Sequence, residues 1–279
     1  MKEEKVSDII TERVVSIDKN TNLVEAAKVM VSEDTGWVLI LEGGALKGIL
    51  TERDIMFQAN LKGDALESQL VKDVMSTEVI NANPSTKLSE VTEILATYAY
   101  NRLPVLDGEK VVGVVSRRNL CHQVCKKFFK EEEEPHEESD CPFGETVGDV
   151  MTKEVRTILP DKPIKEAIQQ MCKAMGENSH FGVGSIIVEN GAQIAGILTE
   201  RDVIKCVADK KDLETTTVQD SMSKDVKTIY KDLSVCNAMS IMDHGHFRHL
   251  PVIDKEKRLS GIVSYTDMIR TMQASRVFQ

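Results

Sequence analysis

A hydroxyl residue with an acidic or amide residue three positions later, and a glycine three positions earlier, recurs along this chain. It reads GILTERD at 48–54 and again at 196–202, with looser copies GVVSRRN at 113–119 and GIVSYTD at 261–267. At a helix start, Thr51 with Asp54, Ser116 with Asn119, Thr199 with Asp202 and Ser264 with Asp267 resemble capping boxes. In such a box the hydroxyl satisfies a backbone N–H, and an acid suits the positive end of the helix dipole. The same corner has a second use, because open N–H groups at a helix start hold phosphate while a neighbouring carboxylate holds a sugar diol. Capping does not require Gly48, Gly113, Gly196 or Gly261. Close approach of backbone to a ligand would, and that is the expectation here.

Four copies of one unit position these corners. Each opens on a Val-x-Asp segment: VSDII at 6, VKDVM at 71, VGDVM at 147 and VQDSM at 218. A short β-prone stretch follows, then a helical pattern such as NLVEAAKVM (22–30) or PIKEAIQQM (163–171), apolar at i, i+3, i+4 and i+7. Asn22 with Glu25 reads as an N-cap pair, and Pro163 suits a first helical turn. Two apolar strands around a Gly- or Asp-bearing turn come next, as in WVLILEGGALKGIL and RLPVLDGEKVVGVV. In the third copy they follow an insertion around GENSHFG at 176–182. A second helix begins at the corner motif.

The order is β-α-β-β-α, four times, an α/β (α+β) chain. A unit of about 55–60 residues closes a core only marginally, and pairing lets two units share apolar faces. Two modules are expected, 1–128 (units at about 5–60 and 71–126) and 146–279 (units at about 147–208 and 218–274). Between them, 129–145 is acidic and aperiodic, with four glutamates at 131–134, and reads as a solvated linker.

The formal charge of −10 over 279 residues disfavours nucleic acid or anionic lipid as a partner of the whole surface. No apolar run approaches a membrane span, and MKEEKVSD lacks the apolar core of a signal peptide, so a cytoplasmic protein is expected. The six cysteines match no secreted framework, and reduced thiols are expected. With Trp37 the only tryptophan, the core should consist of Val, Ile, Leu and Met, including the methionines at 30, 171, 239 and 242.

The repeated unit with its Gly-h-x-Thr/Ser-x-x-Asp/Asn corner resembles the CBS domain, named after cystathionine β-synthase. The resemblance covers nearly the whole chain apart from the linker and the ends. Four such units are similar in layout to the γ subunit of AMP-activated protein kinase and to stand-alone prokaryotic CBS proteins. The resemblance implies that two units form a Bateman module with clefts for AMP, ADP, ATP or S-adenosylmethionine. It assigns the ribose hydroxyls to Asp54, Asp202 and Asp267, with Asn119 departing from the acid. It places Thr51, Ser116, Thr199 and Ser264 near phosphate or ribose, and adds Ser16, Asn81, Thr157 and Thr228 at the first strand. Basic residues ahead of the Leu-Pro-Val strand, Arg102, Arg248 and His249, are implied phosphate contacts. Units one and three carry Gly36-Trp37 and Gly184-Ser185 there, so the clefts should not be equivalent. Arg53, Arg118 and Arg201, inside the motif, are further candidates for added charge or simply solvent-facing side chains. His249, with a reference pKa near 6.5, would make phosphate affinity pH-dependent.

The leading expectation is a regulatory adenine-nucleotide sensor, not an enzyme, which acts on an unknown protein partner or through a homodimer. The alternatives are an enzyme acting on bound nucleotide, against which no Walker loop or nucleophile elbow is found, and a metal or redox switch. The switch would use Cys121, Cys125 and Cys141 with His136. Cys121 aligns with Met56, Ile204 and Ile269 of the other units, which reads more simply as a small buried hydrophobe.

Overall fold

The computed structural model describes residues 3–128, 142–173 and 183–278. The four glutamates at 131–134, His136, Cys141 and the 176–182 insertion lie outside them. Repeat one contains β1 (Ser16–Ile17), α1 (Leu23–Ser32), β2 (Trp37–Glu42), β3 (Ala45–Thr51) and α2 (Glu52–Lys62). Repeat two contains α3 (Leu88–Thr97), β4 (Arg102–Asp107), β5 (Lys110–Ser116) and α4 (Arg117–Phe128), its first strand reduced to a bridge between Ala82 and Val105. Repeat three follows with α5 (Val147–Val150), β6 (Thr157–Ile158), α6 (Ile164–Cys172), β7 (Ser185–Asn190), β8 (Gln193–Thr199) and α7 (Glu200–Ala208). Repeat four has β9 (Ile229–Tyr230), α8 (Val235–His244), β10 (His249–Ile253), β11 (Leu259–Ser264) and α9 (Tyr265–Ser275).

The expected order is therefore present in every copy. Asn22 Oδ1 accepts from the Glu25 N–H at 2.9 Å, as the spacing predicts. Pro163 is the N-cap itself, and α6 starts one residue later than expected. The tight β2–β3 turn places Gly43 and Gly44 at φ of 60° and 86°, a region that side chains rarely enter.

Each hairpin repeats one register at its corner. Trp37 lies opposite Thr51, Arg102 opposite Ser116, Ser185 opposite Thr199 and His249 opposite Ser264. The short first strands run parallel to the hairpins, Ser16 beside Leu39, Thr157 beside Ile187 and Ile229 beside Val252.

Two compact units form, and each gathers alternate repeats. One is Val15–Val79 with Val155–Val226, holding repeats one and three; the other is Met1–Val14, Ile80–Glu154 and Lys227–Gln279, holding two and four. In the first, α1 packs on α7, and α2 on α6 and α7, burying Leu23, Met30, Met56, Ile164, Met171 and Ile204. In the second, α3 packs on α9, and α4 on α8 and α9, burying Leu88, Leu120, Met239, Met242 and Ile269. Each such side chain contributes about 1.5–3 kcal/mol when removed from water.

The opening Val-x-Asp segments do not pack on the repeats that they introduce. Val6 N–H donates to the Thr86 carbonyl (2.9 Å) at the start of repeat two, and Val71 N–H to the Thr21 carbonyl (2.9 Å) in repeat one. Val147 N–H likewise donates to Leu233 (2.8 Å) in repeat four, and Val218 N–H to Lys162 (2.8 Å) in repeat three. Consecutive repeats thus exchange their leaders. The leader aspartates cap their own short turns: Asp8 accepts from the Lys5 N–H and Asp149 from the Thr146 N–H, both at 2.9 Å.

Candidate functional site: four strand-to-helix corners

At each corner an extended residue ends a strand and starts a helix, so N–H groups without a helical partner point out of the helix end. The box forms in every repeat. Thr51 donates through N–H and Oγ1 to Asp54 Oδ2 at 2.8 and 2.7 Å, and Thr199 to Asp202 Oδ2 at 2.9 and 2.7 Å. Ser264 reaches Asp267 Oδ2 at 2.8 and 2.9 Å. Ser116 makes the same pair of bonds, 2.9 and 2.5 Å, to Asn119 Oδ1. The amide is therefore an adequate substitute as a cap. These bonds engage one carboxylate oxygen, Oδ2, so the other lies outside the capping pattern.

Asp202 and Asp267 are buried. Burial pushes the carboxyls of Asp54 and Asp267 above the usual value of 3.8, against the pull of the hydroxyl and backbone bonds.

The motif glycines have a different cause from the one expected. A Cβ on Gly48 would lie 2.7 Å from Met75 Sδ and 2.9 Å from the Ser76 carbonyl oxygen. On Gly113 it would lie 2.6 Å from both Ile10 Cδ1 and the Thr11 carbonyl oxygen, and on Gly261 2.5 Å from Met151 Sδ. The residue after each glycine pairs reciprocally with the incoming leader: Ile49 with Ser76, Val114 with Thr11, Ile197 with Ser223 and Ile262 with Thr152, at 2.9–3.0 Å. The absent side chains make room for the neighbour's leader. A consequence is that a hydroxyl-bearing leader residue (Thr11, Ser76, Thr152 or Ser223) pairs through its backbone beside every motif glycine. Thr11 Oγ1 accepts from Asn119 Nδ2 at 3.1 Å. All four were visible as the residue following VSDII, VKDVM, VGDVM and VQDSM. Nothing in those segments marks that they cross to another repeat.

The position after the motif hydroxyl also matters. Glu52 and Glu200 are buried, and each meets the arginine of the other repeat: Arg53 Nε donates to Glu200 Oε1 at 2.7 Å, and Arg201 donates to Glu52 and also pairs with Asp34. A Cβ on Gly36 would lie 2.5 Å from Glu52 Oε2, so this glycine houses the carboxylate. Arg53 and Arg201 thus sit in ion pairs with buried glutamates. In repeats two and four the equivalent residues are Arg117, Arg118, Tyr265 and Thr266. Buried Arg117 donates to the Thr266 hydroxyl and to the Leu95 carbonyl (3.1 Å). Arg118 Nε lies 3.6 Å from Asp243, which also meets His122 Nδ1 at 2.6 Å, and Arg118 contacts His246.

Arg102 and His249 stand across the strand from Ser116 and Ser264, and Arg248 adjoins His249. Thr157 and Ser16 lie on the short first strands, Asn81 and Thr228 immediately ahead of Ala82 and Ile229.

Cys121 and Cys125 are buried, and burial pushes the Cys125 thiol up to about 12 and that of Cys121 well above its ordinary value. Such thiols are inert at neutral pH. Cys236 is disulfide-bonded, which corrects the expectation that every thiol is reduced. Among the described residues no three His, Cys, Asp or Glu side chains cluster as metal ligands.

The CBS domain model matches residues 6–59, 71–126, 147–209 and 217–274, so the chain belongs to the CBS domain family. Over 115 residues it is 34% identical to the CBS domain-containing protein YhcV of Bacillus subtilis, covering 41% of this chain and 81% of that one. Over 271 residues it is 24% identical to CBSCBSPB2 of Arabidopsis thaliana; the match covers 91% of this chain and about half, 51%, of the plant protein. The fold is similar to that of protein MJ1225 of Methanocaldococcus jannaschii, described as a proposed archaeal homologue of g-AMPK. That match has TM-score 0.79 and 18% identity, covering 96% of this chain and 99% of the other. Among the described residues no helix is long and apolar enough to cross a membrane.

Proposed function

We propose that the chain is an adenosine-ligand sensor that acts on a protein partner through ligand-dependent rearrangement of paired repeats. The observation that carries this reading is the corner itself. In every repeat a helix N-terminus, a hydroxyl, an acid or amide and a hydroxyl-bearing leader from the adjacent repeat converge, in a family whose resemblance assigns these positions to adenosine. The helix N–H groups suit phosphate, and the carboxylate oxygen outside the cap suits a ribose diol. Consecutive repeats exchange leaders, and on that order along the chain the modules 1–128 and 146–279 are the proposed working pairs. Ligand-site residues in this reading are Thr51, Asp54, Ser116, Asn119, Thr199, Asp202, Ser264 and Asp267, with Arg102, Arg248 and His249 for phosphate. Ligand drives a rearrangement only so far as it binds one arrangement better than another.

Calorimetric and thermal-shift titration with AMP, ADP, ATP and S-adenosylmethionine, with product analysis, is the test. A ligand at a hundred times its Kd stabilises by about 2.7 kcal/mol per site. Binding without turnover is expected, and Asp54→Ala with Asp202→Ala should weaken it. Steady product formation, or unchanged affinity in both variants, would overturn the reading.

A further inference from the structure

We infer that the corner of repeat one is selective for an adenosine ligand that carries no phosphate, neutral or cationic, and that phosphorylated ligands go to the corner of repeat two. This rests on the adenosine-binding reading above and adds which chemical class each corner takes.

Three positions surround the motif hydroxyl in the same geometry, and all three change in the same direction. Across the strand stands Trp37 in repeat one and Arg102 in repeat two. Next along the chain comes Glu52 in one and Arg117 in the other, both buried. Completing the box is Asp54 in repeat one and neutral Asn119 in repeat two. The backbone is common to both, since Glu52 N–H donates to the Gly36 carbonyl and Arg117 N–H to that of Asn101, each at 3.0 Å. The two corners are therefore one scaffold with opposite electrostatics.

A nucleotide phosphate carries close to two negative charges at neutral pH. In repeat one it would meet the Asp54 carboxylate, with Trp37 instead of a cation across the strand. The nearby guanidiniums of Arg53 and Arg201 already neutralise buried carboxylates there. Like charges repel most strongly where water is excluded, and burial is what acts on Asp54. A sulfonium such as that of S-adenosylmethionine reverses the sign, and an indole is a side chain on which a base or a cation can stack. In repeat two, Arg102 across the strand from Ser116 brings a guanidinium suited to phosphate, while buried Arg117 is held by Thr266 and Leu95.

Trp37 makes this measurable, because it is the only tryptophan and stands opposite Thr51. Trp37 emission is followed while the full chain is titrated with adenosine, S-adenosylmethionine and AMP, and total binding is read by calorimetry on the same protein. Adenosine and S-adenosylmethionine are expected to change the emission at concentrations at least about tenfold below AMP. The variant Asp54→Asn keeps the cap that Asn119 forms naturally. It should weaken adenosine at least about tenfold and leave AMP heat unchanged. AMP moving Trp37 as readily as adenosine does, or adenosine heat unaltered in Asp54→Asn, overturns the assignment while leaving adenosine binding in place. No heat from any of the three probes overturns the sensor reading and the assignment with it.

Discussion

In the unit of repeats one and three, two arginines cross between repeats to two buried glutamates, and each bond has its pseudo-symmetric counterpart. In the unit of repeats two and four, the equivalent residues are Arg117, Arg118, Tyr265 and Thr266. There the contact becomes an arginine on a hydroxyl and a carbonyl, beside a His122–Asp243–Arg118 cluster. The corner backbone and the leader pairing are the same in both, and Asn119 caps with the same bonds as the aspartates. Fold is held in common, and the charge placed on it is chosen unit by unit. Reciprocal Glu–Arg pairs also specify the partner, because a repeat with arginine in the glutamate position cannot complete the exchange.

The largest effect on that contrast should come from Glu52→Ala, which leaves half-buried Arg201 without its buried counter-charge, with only exposed Asp34 beside it. A loss of about 3 kcal/mol is expected by urea denaturation. Thr266→Ala, at the matching contact of the other unit, should cost about 1 kcal/mol. Equal losses would dissolve the distinction between the units.

Gly48→Ala and Gly261→Ala come next, about 2 kcal/mol each, because a Cβ at either position overlaps a leader methionine. Here the two units should behave alike. A large difference in denaturation midpoint would mean that the leaders are seated differently.

Smaller again is the pH response of Asp54→Asn. The folded carboxyl titrates above 3.8, so its protonated form adds stability at acid pH that is lost as pH rises through the folded value. Asparagine cannot ionise, so the variant should equal or exceed the wild-type melting temperature at pH 7. Its advantage should shrink as the solution is acidified below the folded value. An advantage that grew on acidification would reverse the assigned sign.

Least of all, Lys210→Ala, which removes a fully exposed pair with Glu67, should leave the midpoint of its unit unchanged. A measurable drop would show that surface charge contributes to the contrast.

Repetition made the order of elements legible, and hydroxyl–acid spacing made the caps legible, because both are local. Buried methionines and Cys121 followed from helical period. Two features were hidden. The leader exchange is a choice between chemically equivalent neighbours, and VKDVM carries no mark of which repeat it will join. The burial of Glu52 and Glu200 contradicts the usual behaviour of an acid in a first helical turn. It becomes intelligible only when Arg201 and Arg53 arrive from about 150 residues away. The alternation Glu, Arg, Glu, Tyr after the motif hydroxyl was nevertheless in plain view.

Swapped leaders also constrain how a chain of this kind can be enlarged or trimmed. A lone additional copy would find no neighbour to lend it a leader, so its glycine corner would be left facing water. Growth must proceed by twos. By the same logic, clipping the first dozen residues damages the second copy and spares the first.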